Sequence, residues 1–119
     1  MSLHIKRRVK LDLRRQGYQQ TIPFMKGDRV AHELIFTITD GAEPVKLPPG
    51  TLAVITVRNG SDNGENGVVD FCAVNHNNNT ISYIPTEQAL SISGLIYSDI
   101  RILDGDGALI GAPSFIFQV

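Results

Sequence analysis

The sequence predicts an all-β domain, an antiparallel β-sandwich of about seven to eight strands with one short helical turn near residues 86–90. Three observations predict it. Apolar and polar residues alternate with period two through most of the chain, which places successive side chains on opposite faces of strands. Clusters of Gly, Asn, Asp and Pro interrupt that alternation at spacings of roughly 8–12 residues, as turns between short strands do. Only Thr86 to Leu90 reads as helical, with Thr86 able to cap the first turn and Glu87 near the positive end of its dipole.

The closing stretch, Gly94 to Val119, organises the rest. Ile96, Ser98, Ile100 and Ile102 share one face of its first arm, and Phe115, Phe117 and Val119 share one face of its second. Between them Asp104-Gly105-Asp106-Gly107 supplies two Asp-Gly pairs, a strong hairpin signal because glycine tolerates positive φ. At the other end Ile5, Arg7, Val9, Leu11 and Leu13 alternate with Lys6, Arg8, Lys10 and Asp12, which predicts a first strand. Arg14 to Lys26 loses the period and reads as an irregular connection or a weak edge strand. Gly27-Asp28 turns the chain into Val30 to Asp40, where Leu34, Phe36 and Ile38 share a face. Glu43 to Gly50 is a proline-rich corner whose missing N–H donors suit an arch between sheets. Leu52 to Arg58 is apolar on both faces and is expected to be covered on both. Residues 59–67 form a polar loop, and Val68 to Asn75 and Thr80 to Ile84 form two strands joined by the asparagine-rich 75–79 turn.

With 119 residues the chain makes one domain, 1–119, large enough to bury roughly two-thirds of its extended surface. The single cysteine, Cys72, forms no internal disulfide, and a net charge of -1 argues against a nucleic-acid-binding or membrane-surface protein. No apolar run reaches the ~20 residues of a membrane-spanning helix. The strand-like end at Val119 suggests a domain excised from a longer protein. The absence of tryptophan and of a cysteine pair removes the pin of antibody-type domains, leaving only a broader immunoglobulin-like architecture open.

No constellation predicts catalysis, a cofactor or a metal. Asp104-Gly-Asp-Gly opens like a calcium loop, yet Phe115 stands where the bidentate Glu would be required, so a plain turn is the simpler reading. His4, His32 and His76 are too scattered for a zinc site, and Cys72 sits mid-strand as a buried thiol without a base. Tyr18, Tyr83 and Tyr97 would stack on sugar rings if they lined one face. Lys6, Arg7, Arg8, Lys10 and Arg14, with Arg15 following, concentrate positive charge near the start. A charged edge strand that discourages unwanted pairing accounts for them most simply; a docking surface for an acidic partner is the functional reading.

The order of pieces resembles the N-terminal domain of phage baseplate upper proteins, found in tails of phages and prophages of Gram-positive bacteria. The resemblance rests on Val9-Lys-Leu-Asp-Leu13, on Lys26-Gly-Asp-Arg29 ahead of Leu34 to Gly41, and on Pro44-Val-Lys-Leu47. It continues through Ile81-Ser-Tyr83, Thr86 to Leu90, Gly94 with Tyr97, Asp104 to Gly107 and Ser114 to Val119. It implies an immunoglobulin-like sandwich and a non-enzymatic structural module of the tail baseplate, made in the bacterial host cytoplasm and carried in the virion. The domain would attach a receptor-binding or fibre-bearing region to the tail core. Its partners would be other baseplate or tail proteins and other copies of itself, with Lys6, Arg7, Arg8, Lys10, Arg14 and the 15–29 segment as docking surface. The alternative is a small carbohydrate-binding sandwich of a secreted or cell-surface protein, using the tyrosines and the 59–67 and 75–79 loops.

Overall fold

The computed structural model describes residues 4–15, 17–23, 31–59, 67–85 and 95–118. They form ten strands: β1 (His4–Asp12), β2 (Tyr18–Pro23), β3 (Ala31–Asp40), β4 (Glu43–Pro44), β5 (Leu52–Asn59), β6 (Gly67–Asn75), β7 (Thr80–Tyr83), β8 (Leu95–Leu103), β9 (Leu109–Gly111) and β10 (Ser114–Gln118). The all-β expectation holds, and eight of these strands run as one hydrogen-bonded path in the order β1-β3-β7-β6-β5-β8-β10-β2. The short β4 and β9 attach to β3 and β8. The Gly27-Asp28 turn, the helical fragment at 86–90 and most of the 59–67 loop lie outside the described residues.

Two layers face each other across the core, and β6 carries the chain between them. Its first part pairs with β5, from Gly67 opposite Arg58 to Cys72 opposite Ala53. Its end pairs with β7, from Ala73 opposite Ser82 to Asn75 opposite Thr80. The layers are therefore halves of one nearly closed, barrel-like sheet. The expectation of antiparallel pairing throughout is corrected at two places. β1 lies parallel to β3, with Val9 opposite Phe36 and Leu11 opposite Ile38. β2 lies parallel to β10, with Phe117 opposite Ile22. Parallel pairing needs long crossovers, and both arise because β1 and β2, consecutive in sequence, occupy opposite ends of the path.

The seam between those two ends is closed by side chains. Gln20 Nε2 donates to the Lys10 carbonyl at 2.8 Å, and Gln19 Nε2 donates to the Asp12 carbonyl at 2.7 Å. Gln19 Oε1 in turn accepts from the Asp12 N–H at 2.8 Å, and the Arg7 guanidinium donates to the Pro23 carbonyl. Two glutamine amides and a guanidinium thus satisfy backbone groups that a ladder would otherwise pair.

Alternation places the core correctly. Leu34, Phe36 and Ile38 of β3 are fully buried, as are Ile96, Ile100 and Ile102 of β8 and Phe115 and Phe117 of β10. The Phe36 and Phe115 rings meet across the layers at 5.0 Å, and Phe117 stands edge-on to Phe115 at 4.9 Å. β5 departs from its expected double cover. Ala53, Ile55 and Val57 are buried, whereas Leu52 on the opposite face is 51% exposed, because β5 is central by hydrogen bonding but not by layers.

Ser98 is buried on the inner face of β8 with no hydrogen-bond partner for its hydroxyl. An unpaired buried hydroxyl costs about 1–3 kcal/mol of desolvation. Ser98→Ala is therefore expected to raise stability by about 1 kcal/mol in urea melts, and a loss of that size would show the hydroxyl to be engaged.

The corners are held by short polar side chains. The Asp104 carboxylate accepts from the N–H groups of Asp106 and Ala108, both at 2.9 Å, and Gly107 adopts φ 86. Asn79, in the left-handed region at φ 54, donates no ladder of its own but accepts from the Leu47 N–H at 2.8 Å, anchoring the proline corner. Leu47 is fully buried there. At the β1 corner one Asp12 oxygen accepts from the N–H groups of Arg14 and Gly41, both at 2.9 Å. Those two bonds, Arg14 first, hold the Asp12 carboxyl below its ordinary pKa. Its stabilising contribution is present above the ordinary Asp value of about 3.9 and is lost as pH falls through the lower folded value. Asp12→Asn is expected to flatten the acid limb of the stability profile. Urea melts across that range check this, and an unchanged limb would place the acid sensitivity elsewhere.

Candidate functional site

The basic cluster is divided by the strand period. Val9 and Leu11 point into the core, so Lys6, Arg8 and Lys10 point outward from the β1-β3-β7-β6 layer, and all three are exposed. None of the three side chains makes a hydrogen bond or ion pair among the described residues. Arg7, on the inner phase, reaches across the seam to Pro23. Arg14 is also engaged: its Nε lies 2.8 Å from an Asp40 oxygen, and that bond holds the guanidinium proton more tightly than usual. Thus three of the five candidate docking residues form one outward row, while two serve the seam and the corner. Of the 15–29 segment, residues 18–23 form β2; residues 16 and 24–29 lie outside the described residues.

Beside Lys6 and Arg8 the layer is concave. A depression of about 460 Å³ is bounded by these two cations, by Glu33 and Ile35 of β3, and by Asn75 and Thr80 near the β6–β7 turn. The asparagine turn is braced from within, since Asn75 Oδ1 accepts from the N–H groups of Asn77 at 3.0 Å and Asn78 at 3.3 Å.

The other chemical candidates have structural employment. The Cys72 thiol packs against the core, and burial, reinforced by Asp70, pushes its pKa up to about 12. Burial thus disfavours the thiolate, which is the form that acts as nucleophile or metal ligand. The three tyrosines do not share a face. Tyr18 and Tyr97 meet on the outside of the other layer, rings 4.8 Å apart, whereas Tyr83 is buried with its hydroxyl donating to Asp70 at 3.2 Å. His76 is exposed on the asparagine turn. Among the described residues no group of three or more His, Cys, Asp or Glu could hold a metal ion.

The model of the BppU N-terminal domain family matches residues 5–119. The chain belongs to that family, the N-terminal domains of phage baseplate upper proteins. Among solved structures it is similar to the N-terminal domain of phage TP901-1 ORF48, at a TM-score of 0.73 and 11% sequence identity. That alignment covers 97% of this chain and 98% of the other. No curated protein sequence matches. At such identity the structural likeness concerns the fold, and the family match identifies a phage tail baseplate domain.

Seen as a BppU N-terminal domain, the chain has a second surface that the sequence reading missed. Phe71 is 77% exposed and Val69 65% exposed, both outward from β6, and Leu52 joins them from β5. Val54 lies opposite Phe71 in the ladder. The signal was present, since Val69 and Phe71 alternate with Asp70 and Cys72; the residues of higher hydrophobicity simply face out. The opposite phase of β6 carries Asp70, whose carboxylate accepts from the Tyr83 hydroxyl.

Proposed function

We propose that this domain is a non-enzymatic structural module of a phage or prophage tail baseplate, attaching a receptor-binding or fibre-bearing region to the tail core. The family match over residues 5–119 carries this reading. The row Lys6, Arg8 and Lys10, whose exposed side chains have no hydrogen-bond or ion-pair partner among the described residues, supports the outer face of the β1 layer as a docking surface. Edge charges of this kind keep the domain from pairing indiscriminately and steer an acidic partner to one face. The non-enzymatic reading draws support from the employment of its reactive groups, with Asp104 closing a turn, Asp12 holding a corner and Cys72 kept protonated. In this reading the chain is made in the host cytoplasm, is assembled into the virion, and meets other tail proteins and further copies of itself rather than nucleic acid or membrane.

Immunoblotting of tail particles purified from the phage or prophage that encodes the chain tests the proposal. The chain is expected in the particles, at the host-proximal end by immunogold labelling, with tail-tape, tail-fibre, lysin or holin genes beside its own. Its absence from purified tails would overturn the reading.

A further inference from the structure

We infer that the outer face of the β1-β3-β7-β6 layer bears a two-part groove that seats a segment of a different tail protein, one carrying an acidic residue and an apolar anchor. This names the partner for the docking face proposed above and rests on that reading. The depression beside Lys6 and Arg8 shares Glu33 and Ser82 with a second one of about 350 Å³, which reaches Phe71, Ala73 and Ile84. The ladder registers show how they join. Arg8 lies opposite Ile35, Ile35 opposite Ser82 and Ser82 opposite Ala73, so one row crosses all four strands. Phe71 lies two residues before Ala73 on the same face.

The two ends differ in chemistry. At the β1 end the Lys6 and Arg8 side chains make no ion pair or hydrogen bond among the described residues, and they border the Glu33 carboxylate, which lies opposite Lys6 in the ladder, together with amide and hydroxyl side chains. A carboxylate placed there gains charge-assisted bonds from two cations that share one neighbouring carboxylate, Glu33, which leaves the end with a net positive charge. At the β6 end Phe71 is 77% and Ile84 49% exposed, a pair of apolar groups whose burial favours association. Strands lie about 4.8 Å apart, so the row from β1 to β6 spans about 14 Å. An extended segment advances about 3.3 Å per residue, which puts its acidic residue about four positions from its apolar one.

Other occupants fit less well. No aromatic ring lines the cationic half to stack on a sugar, and Glu33 at the midpoint repels a continuous polyanion. Of this chain's own described residues, the exposed Asp106 and Leu109 belong to a tight turn, and Leu95 and Asp99 lie within the paired strand β8, so neither pair presents a free extended segment.

The test replaces Phe71 by the photo-cross-linker p-benzoylphenylalanine in the full chain and irradiates tail particles assembled with it. The expected product joins this position to a peptide of another tail protein with an Asp or Glu about four residues from the cross-linked one. Lys6→Glu with Arg8→Glu is expected to lower the yield per incorporated chain about fivefold or more. A cross-link to a second copy of this chain, a cross-linked peptide without acidic residues, or no cross-link from incorporated chain would overturn the groove while leaving the baseplate reading intact. A chain missing from the particles even without the charge changes would overturn the baseplate reading itself.

Discussion

Phe115→Ala is expected to lower the free energy of unfolding by about 3–5 kcal/mol, the cost of removing a large buried ring and leaving part of the cavity. Phe115 is fully buried, and its ring touches Phe36 of the opposite layer at 5.0 Å and Phe117 of its own strand at 4.9 Å. It is therefore a contact between layers as well as within one. A domain of 119 residues holds about 6–18 kcal/mol in all, at typical stability per residue, so this single change removes a large share. Phe117→Ala is expected to cost a similar amount. The double variant should lose less than the sum, because the edge-on pair contributes about 0.5–1.5 kcal/mol that either single change already removes. Ile116, half-buried and pointing the other way, is the control, with an expected loss well below that of either phenylalanine. Urea melts of the four proteins check the set. A loss below about 1 kcal/mol for Phe115→Ala would mean that the strand's inner and outer faces are exchanged.

That register was legible because alternation is local: Phe115 and Phe117 announce one face of β10 whatever lies next to them. Which strand lies next to which was not. The parallel pairs β1 with β3 and β2 with β10 join segments far apart in the chain, and period-two patterning carries no information about partner or direction. The polar Tyr18 to Pro23 stretch looked irregular because only Ile22 is buried in it. It becomes a strand through pairing with β10, which the notion of a weak edge strand anticipated in kind but not in place. The glutamines that close the seam gave no signal at all. A Gln whose amide caps a backbone carbonyl across a seam has the same sequence appearance as one in solvent.

The site was legible in a similar, partial way. A run of Lys and Arg on a strand shows charge, and counting by twos separates Lys6, Arg8 and Lys10 from Arg7. It does not show that Arg14, beyond the strand, turns back to Asp40, since that contact depends on the corner brought together by Asp12 and Gly41. The sequence analysis assigned no inner face to β6, although a buried Cys72 already places Phe71 on the outer one by alternation. Sequence patterning assigns faces by hydrophobicity, and at β6 the two faces differ little: Val68, Cys72 and Val74 against Val69, Phe71 and Ala73.

The division of the basic residues yields an expected result with opposite signs for its two halves. Reversing Lys6, Arg8 and Lys10 together to Glu is expected to slow association of the chain with tail particles assembled without it by about 10-fold to 100-fold at low salt. Long-range steering by three exposed charges contributes on that order. The effect should shrink towards nothing near 1 M salt, where the screening length falls to about 3 Å. Stability in urea should hardly change, because these side chains have no hydrogen-bond or ion-pair partner among the described residues. Arg7→Glu and Arg14→Glu should behave the other way. The first removes a donor from the Pro23 carbonyl and the second places a carboxylate against Asp40, so both weaken the fold while association of the folded chain stays near its original rate. Association followed by light scattering across a salt series, beside melts of the same proteins, reads both halves. If reversal at positions 6, 8 and 10 leaves the rate and its salt dependence unchanged, the outer face of β1 is a solvated surface and docking lies elsewhere.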